Sequence, residues 1–411
     1  MSDKNHIVYL GCSGFPYGLA EVQKLTLVSN SLILKNNFIT IVCNRPTHKK
    51  ADHPDLLSSG NFRGIEYVYT AGSPFRSDHF IKRNWLKLKG IINEILFLKT
   101  RKRANKLDYA ILSTNSFYSI LYYSILSKLF RFKIILNYVE YYLPLKHKWY
   151  QISSRLSDKL YDKYGPRLVD ALFPISEFLI KQIQKIVPEK KYLKIPVLVD
   201  AGRYDEYEIK NEPGYFLFCG AAAYIETIKF IIDSFRQLNR PEAFLYLVIN
   251  GNQAHILEIQ NYLDSTPLKE KIKIFSRLSE KELNGFYKNA LALLIPLRPN
   301  LRDEARFPHK IGEYLASGNP VISTNYGEVK HYFKDMENML IAEAYDSALY
   351  AAKMRFVLDN AVESQKIGSN GKKMALNHFD YRLYGERLVN FLDSLESDGK
   401  APKFLLQDNF M

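Results

Sequence analysis

Residues 307–324 read FPHKIGEYLASGNPVIST, and this stretch decides the fold class. Pro308 suits a first helical position, because the N–H it lacks has no intrahelical partner there. Gly318 suits the residue just past a helix end, where left-handed backbone is common. Pro320-Val321-Ile322-Ser323-Thr324 then reads as a buried strand. A helix that stops on glycine and runs into an apolar strand is one step of a parallel α/β sheet. The N–H groups of His309 and Lys310 lie at the positive end of the helix dipole, a natural seat for phosphate. Lys310 and Glu313 are about one turn apart at roughly 1.5 Å rise per residue. A carboxylate at that depth can accept hydrogen bonds from ribose hydroxyls while a diphosphate rests on the helix end. A nucleotide sugar has that shape.

The same alternation runs outward through the chain. Strands are predicted at 6–10, 38–43, 65–70, 109–114, 133–138 and 171–176 in the first half. In the second they are predicted at 215–220, 244–250, 271–276, 292–296 and 319–324, with helical patterns between most of them. With 411 residues the chain exceeds one ordinary core. The expected architecture is therefore α/β, with two Rossmann-like doubly wound domains at 1–200 and 214–380 and a last helix at 381–397. Pro196–Gly214, charged and bounded by Pro and Gly, reads as the linker. Ligands of open α/β sheets bind beyond the carboxyl ends of the strands, so two such domains facing each other predict an interdomain cleft.

Composition narrows the function classes. Hydrophobic residues make up 47%, as in a globular protein. No apolar run is long enough for a membrane span, and the N-terminus lacks the pattern of a signal peptide. Cys12, Cys43 and Cys219 are too few and scattered for a disulfide framework or a zinc site, so a cytoplasmic setting is expected. A net charge of +14 favours polyanions: nucleic acid, anionic lipid or phosphorylated substrates.

Several local patterns carry both a functional and a plain structural reading. Gly11-Cys12-Ser13-Gly14-Phe15-Pro16-Tyr17-Gly18 follows the first strand, either as a loop admitting substrate or as a simple glycine turn. Its spacing is not the dinucleotide fingerprint, which weighs against a nicotinamide enzyme. Glu140 follows the strand 133–138, as a base or sugar-binding carboxylate or as a solvated cap. Gly220 ends a strand, where small size serves either a diphosphate or tight packing. Arg298, Arg302 and Arg306 with Lys310 place positive charge near the expected phosphate, where it would stabilise a leaving nucleoside diphosphate. A solvated basic loop is the alternative. Residues 80–106 combine many Lys and Arg with Trp85, Leu88, Ile92 and Leu96 near one helical stripe. Such a helix either lies on an anionic membrane surface or is a crossover helix with its stripe against the sheet. No RNA-binding signature accompanies Arg101-Lys102-Arg103, so nucleic acid is not expected as a partner.

On these residues the chain resembles the GT-B glycosyltransferases, in particular glycosyltransferase family 4 (glycosyl transferases group 1). Pro308, Lys310, Glu313-Tyr314, Ala316, Gly318 and Pro320-Val321-Ile322 match the family's P-x-K-x-x-E-Y-x-A-x-G-x-P-V-I stretch. The loop Gly11 to Gly18, Pro174-Ile175-Ser176, Val199-Asp200, Gly220, Gly251, Tyr287, Ala290 and Pro296 add support. The resemblance implies metal-independent, retaining transfer from a nucleotide sugar, a UDP-sugar ahead of a GDP-sugar, with no other cofactor. It implies an acceptor-binding first domain, a donor-binding second domain, and a last helix that crosses back to the first. Glu313 would hold the donor ribose, with Lys310 and Glu140 beside it in the catalytic set. Gly14, Gly220, Lys229, Arg298, Arg306, Phe307, Pro308 and His309 would complete the donor site. Phe15, Tyr17, Gly18 and Glu140 would meet the acceptor.

Three positions depart from the family pattern. Ala305 stands where the first of two paired glutamates is usual, with Glu304 one residue off register. Ala221 and Glu226 replace the basic pair after Gly220, leaving Lys229 and the arginines to supply charge. Val139-Glu140 replaces a His-Asp or His-Glu pair. The expected activity is glycosyl transfer to a glycan or lipid-linked acceptor in surface polysaccharide or glycolipid assembly. The enzyme would work in the cytoplasm, with 80–106 resting on an anionic membrane face. A non-catalytic nucleotide-sugar or polyanion-binding protein on the same scaffold is the alternative.

Overall fold

The computed structural model describes residues 5–18, 20–142, 152–207, 214–265 and 267–396. The chain divides into two units. One holds residues up to Leu198 together with those from Tyr381 onward, the other Val199–Asp380.

The first unit runs β1 (His6–Leu10), α1 (Ala20–Ile33), β2 (Phe38–Cys43), β3 (Ser59–Phe62), β4 (Ile65–Tyr69), α2 (Phe80–Arg103), β5 (Tyr109–Leu112), α3 (Phe117–Phe130), β6 (Lys133–Tyr138), α4 (Ile152–Tyr164), β7 (Ala171–Pro174), α5 (Glu177–Ile186) and β8 (Lys191–Tyr192). Its sheet has the order β3-β4-β2-β1-β5-β6-β7-β8, parallel except where β3 pairs antiparallel with β4. Ile7 to Leu10 are all buried, because a parallel strand covered on both faces needs a continuous apolar run. The strand β1 pairs with β2 on one side and β5 on the other. The loops after β1 and β5 therefore part at a switch point, where such sheets open a crevice.

The second unit runs β9 (Tyr215–Ala221), α6 (Ile225–Leu238), β10 (Phe244–Asn250), α7 (Gln253–Asp264), β11 (Ile272–Phe275), α8 (Glu280–Asn289), β12 (Ala292–Ile295), α9 (Leu301–Ala305), α10 (His309–Ser317), β13 (Val321–Thr324), α11 (Val329–Tyr332), β14 (Leu340–Ala342), α12 (Ser347–Asp359) and α13 (Ala361–Met374). Its sheet is β11-β10-β9-β12-β13-β14, parallel throughout. Here β9 lies between β10 and β12, which repeats the switch-point geometry.

The final helix α14 (Gly385–Glu396) belongs to the first unit. Leu388, Phe391 and Leu392 are fully buried in the same core as Ile7, Ile111 and Phe173. Tyr109 Oη donates to Leu392 O at 3.0 Å and to Glu396 Oε1 at 3.0 Å, fixing the helix to the sheet.

Three short strands carry too little pattern to be predicted. The strand β3 reads SGNF and is mostly exposed, while β8 and β14 span two and three residues. The stretch read as a linker is divided. Val199 N–H donates to Phe379 O and Ala201 N–H to Asp380 Oδ2, so this segment packs within the second unit. Residues 208–213 of that stretch lie outside the described residues. Pro308 precedes the helix it was expected to begin. Its ψ of 126° is extended, and α10 starts at His309. Gly318 ends α10 with φ of 85°, the left-handed backbone expected of it.

Candidate functional site

In the second unit, the carboxyl ends of β9 and β12 bring together the loop after β9 and the segment around α9 and α10. Arg306 Nη1 lies 3.4 Å from Tyr224 Oη, at the start of α6. The Arg302 guanidinium sits 6.0 Å from the centre of the Tyr224 ring. Tyr314, buried inside α10, accepts from Cys219 N–H at 2.9 Å and so ties that helix to β9.

Lys310 and Glu313 form the centre of this arrangement. Lys310 Nζ donates to Glu313 Oε2 at 2.7 Å and to Tyr287 Oη at 2.7 Å. The 3-residue spacing on a helix makes the two side chains neighbours. The Glu313 carboxylate is mostly buried and the lysine about a quarter exposed, so the pair sits at the edge of the interior. Burial opposes the ammonium charge, but the attraction of Glu313 and the Cys219 side chain outweighs it. The Lys310 pKa is therefore raised and the amine stays charged. The pair rests on aromatic packing: Tyr287 meets Tyr314 edge-on with ring centres 5.2 Å apart.

The other predicted donor residues divide into those near this centre and those engaged elsewhere. Arg298 is held by Asp303, with Nε to Oδ2 at 3.1 Å. Lys229 turns to Glu258 on α7 at 2.9 Å and to Glu226 at 3.7 Å, so acidic neighbours already meet its charge. Phe307 needs correction. Its ring is buried, stacked on Tyr332 at 5.2 Å and edge-on to Phe379, which makes it a core residue instead of a ligand contact. At Gly220, a Cβ would fall 2.8 Å from the Phe218 ring, so small size here serves packing.

In the first unit, Gly14 adopts φ of +79°, a conformation that favours glycine. Gly18 lies against Val22, which leaves no room for a Cβ. Phe15 also needs correction as an acceptor residue. It is fully buried, its carbonyl accepts from Tyr69 Oη at 2.7 Å, and its ring meets Phe62 edge-on. Tyr17 is exposed and stacks on His53 at 4.2 Å, with His48 beside them. Glu140 follows β6 in a partly buried loop. That loop is braced by Asp162 of α4, which accepts from Tyr142 N–H at 2.8 Å and Tyr138 Oη at 3.3 Å. Burial pushes the Asp162 carboxyl up to about 7, against those two hydrogen bonds and with Asp158 and Glu140 adding to the rise.

Comparison with known proteins agrees with this architecture. A family model described as glycosyl transferases group 1 matches residues 204–374. No curated protein sequence matches the chain. Among solved structures, sucrose-phosphate synthase from Thermosynechococcus elongatus superposes with a TM-score of 0.73 at 14% identity, covering 96% of this chain and 100% of that one. A glycosyltransferase from Rickettsia africae ESF-5 gives 0.70 at 13% identity, covering 97% and 100%. Anabaena HepE, solved in complex with UDP and glucose, gives 0.67 at 14% identity, covering 94% and 99%.

The chain has the GT-B glycosyltransferase fold. The segment matched by the group 1 model fills most of the second unit and contains Lys310, Glu313, Arg298 and Arg306. The GT-B scaffold also gives the off-register Glu304 a role of its own. Its Oε1 meets Lys330 at 2.6 Å and its Oε2 accepts from Gly327 N–H at 3.3 Å, bracing the loop after β13. Ala305 beside it is fully buried. Two residues of the matched segment join the site although its sequence pattern does not assign them to it. Tyr287 belongs to the family-like pattern without a stated role, yet its hydroxyl holds Lys310. Tyr224, on which Arg306 and Arg302 converge, is a lone aromatic after a strand and gives no signal in one sequence.

Proposed function

We propose that this protein is a retaining, metal-independent glycosyltransferase of the family 4 type that uses a UDP-sugar. The observation that carries the reading is the cluster of Lys310 and Glu313 on α10 with Tyr287 of α8, beside the β9/β12 switch point. In the proposed role, Lys310 and Tyr287 orient Glu313, which accepts hydrogen bonds from the ribose hydroxyls. The diphosphate lies toward the start of α10, with Arg306 and Lys310 offsetting its charge. In the transfer step the bond between the anomeric carbon and the phosphate oxygen breaks as the acceptor oxygen bonds to that carbon on the same face. The acceptor proton passes to the departing phosphate, so no protein base is required. Fixed cations favour the charge that develops on that phosphate. HepE, solved with UDP and with UDP-glucose, supports UDP over other nucleotides.

The acceptor is assigned to the first unit, where Tyr17, Gly14 and Glu140 follow β1 and β6. A glycan or lipid-linked acceptor in surface polysaccharide or glycolipid assembly is the proposed substrate class. The outward apolar stripe of α2 supports work at the cytoplasmic face of a membrane. No described helix is long and apolar enough to cross one.

Calorimetric titration with UDP-glucose and other UDP- and GDP-sugars tests the donor. Wild type should bind a UDP-sugar, and Glu313→Ala should weaken that binding at least about tenfold, or 1.4 kcal/mol. Unchanged affinity would remove Glu313 from the site. Donor binding without donor hydrolysis or transfer to any lipid or glycan acceptor would favour the non-catalytic reading that the departures at Ala221, Glu226 and Val139 invite.

A further inference from the structure

Helix α2 carries its apolar side chains on the outside. Trp85, Leu88, Ile92 and Leu96 are 61%, 51%, 48% and 54% exposed, and Phe80 and Ile81 are more so. This overturns the crossover-helix reading, in which the stripe faces the sheet. The inner face buries Gly90, Glu94 and, near its C-terminal end, Leu98. Gly90 sits so close to the loop after β2 that a Cβ would lie 2.0 Å from Asn44 O. Its carbonyl accepts from Thr70 Oγ1 at 2.8 Å, and Asn93 Nδ2 donates to Thr70 O at 2.8 Å. Glu94 is fully buried and accepts from Asn44, Tyr122 and Tyr123. The neighbouring α3 also turns Leu121, Ile125 and Leu129 outward.

A basic cavity opens beside this face. It measures about 380 Å³ and is lined by Arg45, Thr47, Arg76, Ser77, Arg83 and Lys87 among others, with no acidic residue in its wall. Two loops form its rim and are joined by backbone hydrogen bonds. Thr47 and His48 N–H both donate to Pro74 O at 3.0 Å, and Arg76 N–H donates to His48 O at 2.9 Å. The Phe80 ring supports the Arg83 guanidinium at 5.7 Å. Among the described residues, no carboxylate forms an ion pair with Arg45, Arg76, Arg83 or Lys87. Trp85 and Leu88 lie on the same helix, within one turn of Arg83 and Lys87.

We propose that this cavity takes the phosphate of an anionic bilayer lipid, with the exposed faces of α2 and α3 resting in the adjoining interface. The inference rests on the membrane-surface reading above and adds a headgroup site to it. Charge selects this occupant over a second copy of the chain. The basic residues of α2 are Lys82, Arg83, Lys87, Lys89, Lys99, Arg101, Lys102 and Arg103, and its one acid, Glu94, is buried. Two copies meeting on this face would bring like charges together, whereas anionic headgroups complement them. Apolar side chains flanked by cations suit an interface of acyl chain and headgroup.

Co-sedimentation with phosphatidylcholine vesicles, with and without phosphatidylglycerol, tests the proposal on the full chain. Wild type should bind only the anionic vesicles. Arg76→Ala/Arg83→Ala should reduce binding about tenfold more than Lys99→Ala/Arg103→Ala, an equal loss of charge on exposed positions away from the cavity. All these side chains are at the surface, and unchanged thermal melting will show that each variant folds. Equal losses for the two pairs would overturn the headgroup site while leaving membrane association standing. A wild type that ignores anionic vesicles, or whose binding survives Leu88→Ser/Ile92→Ser, would overturn the membrane reading and the site with it. Stabilisation by inorganic phosphate that Arg76→Ala/Arg83→Ala abolishes, without vesicle binding, would assign the cavity to a free anion instead.

Discussion

At the residue scale, the donor half of the site turns on one buried-edge ion pair. Lys310→Met leaves the Glu313 carboxylate without its partner, so stability should fall by about 3 kcal/mol. Lys310→Met/Glu313→Gln should recover most of that loss in urea denaturation yet keep donor affinity low. Recovery of both would make the pair purely structural. Asp162 offers a second test. Its folded pKa of about 7 lies above the ordinary carboxylate value of 3.8, so the folded state holds its proton longer than the unfolded chain does. Its stabilising contribution is therefore fully present below about 3.8 and is lost as pH rises through 7. The difference amounts to about 4 kcal/mol across that window. Asp162→Asn should flatten the fall in melting temperature between pH 5 and 8, and an unchanged slope would refute the shifted carboxyl.

At the element scale, the two faces of α2 should respond in opposite ways. Gly90→Ala forces a Cβ against Asn44 O and should cost about 2 kcal/mol by chemical denaturation. Leu88→Ser/Ile92→Ser removes apolar groups from an exposed face and should leave stability within about 0.5 kcal/mol. Elements of this kind separate what was legible in the sequence from what was not. Strands such as HIVYL and FITIVC stand out because burial on both faces demands unbroken apolar runs. The stripe of α2 was equally visible, but its direction was not. A periodic pattern fixes which residues share a face, whereas Gly90, Asn93 and Glu94 meeting Asn44 and Thr70 decide which face turns inward. Phe15 and Phe307 failed as site residues for the same reason. Each adjoins a functional motif, and only its aromatic neighbours in space place its ring in the core.

At the scale of the whole molecule, each sheet reverses strand order beside its first strand, and each reversal sets the loops that carry the candidate residues. The first unit is completed by α14, more than 180 residues after the rest of it in the chain. Ending the chain at Asp380 removes Leu388, Phe391 and Leu392 from that core. At about 2 kcal/mol for each fully buried side chain, the truncated first unit should lose on the order of 6 kcal/mol. It should then melt far below wild type in calorimetry, while Val199–Asp380 should still melt near its original temperature. Equal melting of the first unit with and without α14 would contradict that account.

The sequence by itself determined the parallel α/β character, the strand positions, the helix that ends at Gly318, and the pairing distance of Lys310 and Glu313. These follow from local rules of burial period, backbone freedom at glycine and helical rise. Only the tertiary structure decided that Tyr287 holds Lys310, that Glu304 braces the β13 loop, and that α2 faces outward beside a basic cavity. Those contacts join residues distant in sequence, and their energies depend on which surfaces are packed together, which no single stretch of chain encodes.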